Sequence, residues 1–313
     1  MTSYQELLKD IALTDERFIV MTAENLASIR GIAGALGSRF VDTGIAEQSL
    51  VGMAAGLALR GRIPVVHALS TFLTMRAFEF IRTDVGIGNL TVKLCGGVPG
   101  FLSEANGPTH QALEDIALMR IIPSMNIFCP ADEQELTLGL RQVLEHSGPF
   151  YIRLNHTKAV IEHDQDFKIG KAEVVFDGDD ITILVYGMLF AEAVKARELL
   201  QTEGKNVRLL NMRTVKPVDE EAIIASARQT SLLVTLEDHF ITGGLYSIVC
   251  EVLISRGINC KVLPIALENR WFKPALLPFV LEYEGFNGEK IAEKILKICQ
   301  GGHQYATTSR INA

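Results

Sequence analysis

Residues 181–211 read ITILVYGMLFAEAVKARELLQTEGKNVRLLN, and their order of patterns decides the fold class. A largely apolar run over Ile181–Tyr186 gives way to a helical pattern over Ala191–Gln201. A second β-type run follows at Val207–Asn211. The first run is not alternating, as expected of a strand covered on both faces. Strand, helix and strand in succession imply a parallel pair with the helix crossing over one face.

The alternation extends in both directions. Upstream strand candidates are Arg17–Met21, Ile63–Ala68, Thr91–Cys95, Asn126–Cys129 and Phe150–Leu154; downstream are Leu232–Leu236 and Lys261–Pro264. Helical segments include Ala46–Leu59, Gln134–Glu145 and Leu245–Ser255. The expected fold is α/β, with mainly parallel sheets and helices on both sides. Ile161–Lys171 (IEHDQDFKIGK) is polar, lacks helical periodicity and separates two β-α series. A domain boundary is placed there, giving domains over residues 1–165 and 172–300 and a polar, loosely held tail over 301–313.

A length of 313 residues suits two domains. Hydrophobic residues at 48% and charged residues at 21% support a globular core rather than disorder. The net charge of −7, without a sustained basic run, argues against nucleic-acid and anionic-membrane partners. No apolar run approaches a membrane span, and MTSYQELLKDIALTDERF lacks the charge and apolar order of a secretory signal. The five cysteines are scattered without metal-type spacing, so a reducing cytoplasm and no disulfide framework are expected.

GIAEQSLVGMAAGLAL (Gly44–Leu59) concentrates the chemistry. Apolar and small residues cover nearly the whole circumference of this helix, so it is expected to be buried. Glu47 is its only acid. A buried carboxyl without a cationic partner tends to stay protonated, and in that form it donates a hydrogen bond to a heterocycle nitrogen. The alternative is a first-turn glutamate that favours the helix dipole and points to solvent.

GIAEQ (44–48), LSTF (69–72), GPTHQALED (107–115), PADEQE (130–135), RLLNMRTVKPVD (208–219) and VTLEDHFITGGL (234–245) occur in this order. Together they resemble the pyrimidine-binding and C-terminal domains of transketolase, over about residues 1–300. 1-Deoxyxylulose-5-phosphate synthase shares much of the pattern. The resemblance implies a thiamine diphosphate enzyme that moves a two-carbon ketol unit from a ketose to an aldehyde. It identifies Glu47 with the glutamate that bonds the cofactor's aminopyrimidine ring and promotes removal of the thiazolium C2 proton. Phe72 matches the aromatic that stacks on the pyrimidine, with Leu69 as an apolar wall; a plain core phenylalanine is the competing reading. His110 matches the histidine that contacts substrate oxygen and assists proton transfer. Thr109 is placed to cap a following helix, and a structural histidine closing the turn is the alternative.

The family holds the diphosphate and Mg2+ through a GDG motif in another domain, and this sequence contains none; Asp177-Gly178-Asp179 reads as an acidic turn. No metal ligand is therefore assigned to this chain. A separate diphosphate-binding N-terminal subunit is expected to supply that site, in an α2β2 heterotetramer. The second domain is expected to support assembly, with Asp238 and His239 in a plain strand-to-helix loop. A 2-oxo acid dehydrogenase beta chain has a similar domain order but a different histidine loop. A non-catalytic assembly subunit is the third reading.

Substrate contacts are expected at His110, Asn106 and His156. Asn106 stands where the family places an aspartate, Val98 near a histidine or arginine position, and His156 near a phosphate-binding arginine. These departures argue against ordinary pentose phosphates unless Arg76, Arg153 or residues of the partner chain compensate.

Overall fold

FIVMT at Phe18–Thr22 buries all five side chains, which places this strand inside a sheet covered on both faces. All five residues of KLCGG at Lys93–Gly97 are buried as well. The computed structural model describes residues 3–301 apart from positions 269 and 272. Its strands are β1 Phe18–Thr22, β2 Phe40–Asp42, β3 Ile63–Leu69, β4 Lys93–Gly97, β5 Asn126–Phe128, β6 Phe150–Arg153, β7 Glu173–Phe176, β8 Ile181–Val185, β9 Val207–Asn211, β10 Thr214–Lys216, β11 Leu232–Phe240 and β12 Val262–Leu267.

They form a seven-stranded sheet, β10-β5-β6-β4-β3-β1-β2, and a five-stranded sheet, β12-β11-β8-β9-β7. Pairing is parallel except at β10–β5 and β7–β9. The two-domain α/β class is therefore as the sequence suggests, and every strand and helix named above is present. Three short strands escape the pattern: Phe40–Asp42, Glu173–Phe176 and Thr214–Lys216. With three or four residues each, they show too few alternations to register as a period. The last has a structural consequence, because β10 leaves the second half of the chain and adds an antiparallel edge to the first sheet. Apolar packing is also continuous across the halves, joining Ile127 and Cys129 to Met212, Leu245 and Ile248.

Between Arg153 and Glu173 the chain has no regular element, and the polar stretch lies there. Residues 302–313 of the proposed tail lie outside the described residues.

The helix Glu47–Leu59 departs from expectation. Glu47, Leu50, Val51, Ala54 and Ala55 are buried, but Ile45 just before it is 70% exposed and Leu59 is 73% exposed. Met53 is exposed as well. The helix is apolar all round, yet this chain covers one side of it.

Candidate functional site

In the parallel part of the first sheet, the carboxyl ends of the strands share one edge, where open α/β sheets commonly bind ligands. Glu47 opens its helix shortly after β2, and its side chain is only 2% exposed. Leu69 ends β3, is half-buried, and pairs in register with Gly97 of β4. Phe72 begins a π-helical turn, Phe72–Arg76. Such turns widen a helix by one residue and recur at functional sites. Here the turn aims Arg76 back over Phe72, with its guanidinium carbon 4.2 Å from the ring centroid.

Arg76 Nη1 also donates to Glu47 Oε2 at 2.9 Å. This corrects the sequence reading of an unpaired carboxyl: the cation comes from 29 residues further along the chain. No charge pattern within the helix signals it. The Arg76 side chain is 40% exposed, so the pair lies at a rim rather than in the core.

His110 meets the same aromatic ring, with the Phe72 and His110 centroids 5.2 Å apart in an edge-on arrangement. The structure thus joins Glu47, Arg76, Phe72 and His110 through consecutive contacts. Thr109 does not cap a helix. The next helix begins at Asp115, and Thr109 Oγ1 instead bonds His110 Nδ1 at 2.9 Å. His110 sits in a turn closed by its own N–H donating to the Gly107 carbonyl at 2.9 Å. Asn106, exposed, ends the short turn before it. Val98 has φ +45°, strained for a β-branched residue, at the start of this loop.

His156 lies elsewhere. Its Nε2 is 2.8 Å from Ser28 Oγ, and its ring packs edge-on to Tyr4 at 5.8 Å. Burial lowers its pKa, partly opposed by Glu133. It lines an open groove of about 850 Å3 with Ser3, Glu133, Thr137 and Lys158, and none of Glu47, Phe72 or His110 lines that groove.

Arg153 is not free to hold a substrate phosphate. It is 2% exposed, with Nε 2.9 Å from Asp115 Oδ2 and Nη1 2.7 Å from Asp238 Oδ1. Asp238 and His239 are likewise not in a plain loop. Both are buried in β11, and His239 Nε2 accepts from the Ala117 N–H at 3.3 Å. Sequence reasoning missed this network because its members are 38 and 85 residues apart.

A second buried cluster, Glu135, His163 and Glu173, brings possible metal-ligand atoms within 4.8 Å. Those atoms are already engaged: His163 bonds Asp132 and Glu173, each at 2.8 Å, and Arg213 Nε lies 2.7 Å from Glu135 Oε1. Burial alone would lower the His163 pKa, but its two carboxylate bonds and Glu135 raise it to about 10. A fixed imidazolium and guanidinium already neutralise the acids there.

Comparison with known proteins bears on this arrangement. The family model "Transketolase, pyrimidine binding domain" matches residues 1–160, and "Transketolase, C-terminal domain" matches residues 170–291. The chain is 39% identical over 264 residues to the 6-deoxy-6-sulfo-D-fructose transketolase subunit SqwH of Clostridium sp. (strain MSTE9), covering 83% of this chain and 81% of that protein. It is 36% identical over 266 residues to 1-deoxy-D-xylulose-5-phosphate synthase of Dictyoglomus thermophilum, covering 84% of this chain but 43% of that protein. A solved structure described as a split gene transketolase, inactive beta4 tetramer, superposes with a TM-score of 0.82 at 33% identity, over 94% of this chain and 95% of that one.

Proposed function

The chain belongs to the transketolase family, and from that premise we propose that it supplies the aminopyrimidine side of a thiamine diphosphate site for ketol transfer. The observation that carries the reading is the placement of Arg76. The Arg76 guanidinium carbon lies over the Phe72 ring at 4.2 Å while Nη1 donates to Glu47 at 2.9 Å. An aminopyrimidine ring calls for the same two contacts, an aromatic face and a carboxylate at its edge, so the residues fit the group. Arg76 is partly exposed and can withdraw to admit it.

Thiamine diphosphate, when bound, supplies an electron sink for cleavage beside a ketose carbonyl. Glu47 shares a proton with a pyrimidine ring nitrogen, Phe72 and Leu69 hold the ring's face, and His110 exchanges a proton with substrate oxygen. Asn106, on the His110 loop, faces the sugar.

The diphosphate and Mg2+ ligands are assigned to a separate N-terminal subunit, in an α2β2 assembly with two equivalent sites. Ile45, Met53 and Leu59 support that reading, since they expose an apolar face on the helix that carries Glu47. The solved relative described as inactive in its beta4 form also supports the need for a second chain. Among the described residues no helix is long and apolar enough to cross a membrane; a cytoplasmic location is part of this proposal.

The substrate is proposed to be a ketose other than the standard pentose phosphates, because Arg153 is committed elsewhere and His156 lies apart. The relative named for 6-deoxy-6-sulfo-D-fructose makes a sulfonated ketose a natural member of a test panel. The experiment reconstitutes the chain with its co-purifying partner and compares sulfonated, phosphorylated and unmodified ketoses. Turnover that requires both chains is expected, with xylulose 5-phosphate not the best donor. Full turnover by this chain alone would overturn the two-chain reading.

A further inference from the structure

β11 pairs with β8 in unbroken register only through Leu236. Against β12 its register shifts between Leu236 and Phe240. Such a bulge re-aims the side chains that follow it. Beyond Leu236, Asp238 and His239 reach the loop carrying His110 and its continuation, while Phe240 still pairs with Leu267 of β12.

Each of the three meets that loop or its continuation. Gly100 begins the loop with φ +58°, and a Cβ there would collide with the Asp238 carboxylate. The Phe240 N–H donates to the Leu113 carbonyl at 3.0 Å, near the loop's end. His239 takes the Ala117 N–H just beyond. The loop is closed on itself by Gly100 N–H donating to the Ala112 carbonyl at 3.0 Å, and Gln111 Nε2 donates to the Glu104 carbonyl at 3.0 Å. Phe101 packs edge-on against Phe286 of the second domain at 5.1 Å. Arg153 then fixes Asp238 to Asp115, the residue at which the loop passes into a helix.

We propose that Asp238 is a positioning residue for His110: through Gly100, Arg153 and Asp115, the second domain sets where the His110 ring stands against Phe72. Asp238 touches neither substrate nor cofactor in this scheme; it fixes both ends of the loop that holds the histidine. The inference rests on the reading of His110 as a working residue, but the placement it describes is measurable without turnover.

The test labels histidine Cε1 with 13C in the full chain and identifies the His110 signal by its loss in His110→Gln. The edge-on Phe72 ring makes that signal sensitive to sub-ångström displacement. Asp238→Ala leaves Arg153 and Asp115 as a neutral pair, so a folded protein is expected. The His110 signal should move or broaden in it, and Asp238→Asn, which keeps the volume and an acceptor, should restore it. His163→Gln cuts a different contact between the two halves and should leave the signal in place. In the reconstituted enzyme, Asp238→Ala should lower kcat by on the order of 10- to 100-fold, with KM changed little. An unmoved His110 signal in Asp238→Ala overturns the proposal. So does an equal displacement in His163→Gln, which would reduce the effect to general domain docking. Should Asp238→Ala fail to fold, Asp238→Ser removes the same carboxylate and leaves a smaller void, and it is read the same way. If the enzyme transfers no ketol unit, the proposed function falls while the signal comparison stands; if the enzyme works and the signal is silent, only the positioning role falls.

Discussion

Arg76 and Arg153 each pair with a buried carboxylate, yet one arginine side chain is 40% exposed and the other 2%. The difference separates a site from a scaffold. At the rim, water competes for Arg76 and salt screens it, so its bond to Glu47 is exchangeable. Inside, Arg153 lies between Asp115 and Asp238 with no solvent to take its place, and losing it would leave two carboxylates buried together. Burial already pushes the Asp238 pKa up, opposed by Arg153. One pair lies where water reaches it; the other joins the first half of the chain to the second.

Substitution gives the widest contrast. Arg153→Met should lower the unfolding free energy by about 3–5 kcal/mol, the cost of breaking a buried ion network from one side. Arg76→Met should cost about 1 kcal/mol or less, because its side chain is partly in water. Urea denaturation of both variants measures the gap, and equal costs would erase the distinction.

A smaller effect tests whether the second sealed cluster behaves like the first. His163 has a folded pKa of about 10 against 6.5 for the free side chain. A raised value means that the folded state holds the proton more tightly. Its stabilisation is therefore complete below about 6.5 and lost as pH rises toward 10. The wild-type chain should melt above His163→Gln at pH 6, with that advantage shrinking across this window. An advantage that stays constant or grows would show that the imidazolium is not what links Asp132 to Glu173.

These contrasts also explain what the sequence could tell. The parallel strands were legible because double burial leaves unbroken apolar runs, as in Ile181–Val185, and the helices because their periods last three turns. Motif order brought out Glu47, Phe72 and His110, and in the structure Arg76 joins Glu47 to Phe72 while His110 meets Phe72 directly. What stayed hidden was pairing across distance. Arg76 meets Glu47 through a π-helical turn, Arg153 meets Asp238 across two domains, and β10 crosses to the other sheet. A period or a motif is a local property, whereas a charge partner is chosen by the fold. For the same reason the apolar circumference of Glu47–Leu59 suggested full burial, whereas Met53 and Leu59 stay exposed in this chain.

The central claim is that Glu47 shares a proton with the bound aminopyrimidine. Hydrogen–deuterium exchange at C2 of thiamine diphosphate, in the complex of this chain with its partner, tests it most directly. Glutamine fills the same volume and still hydrogen-bonds, but it cannot pass that proton. Glu47→Gln should therefore slow the exchange by about 10²- to 10⁴-fold while the melting temperature of the chain changes little. Exchange at the wild-type rate in Glu47→Gln would contradict the account and mean that the acid is another residue.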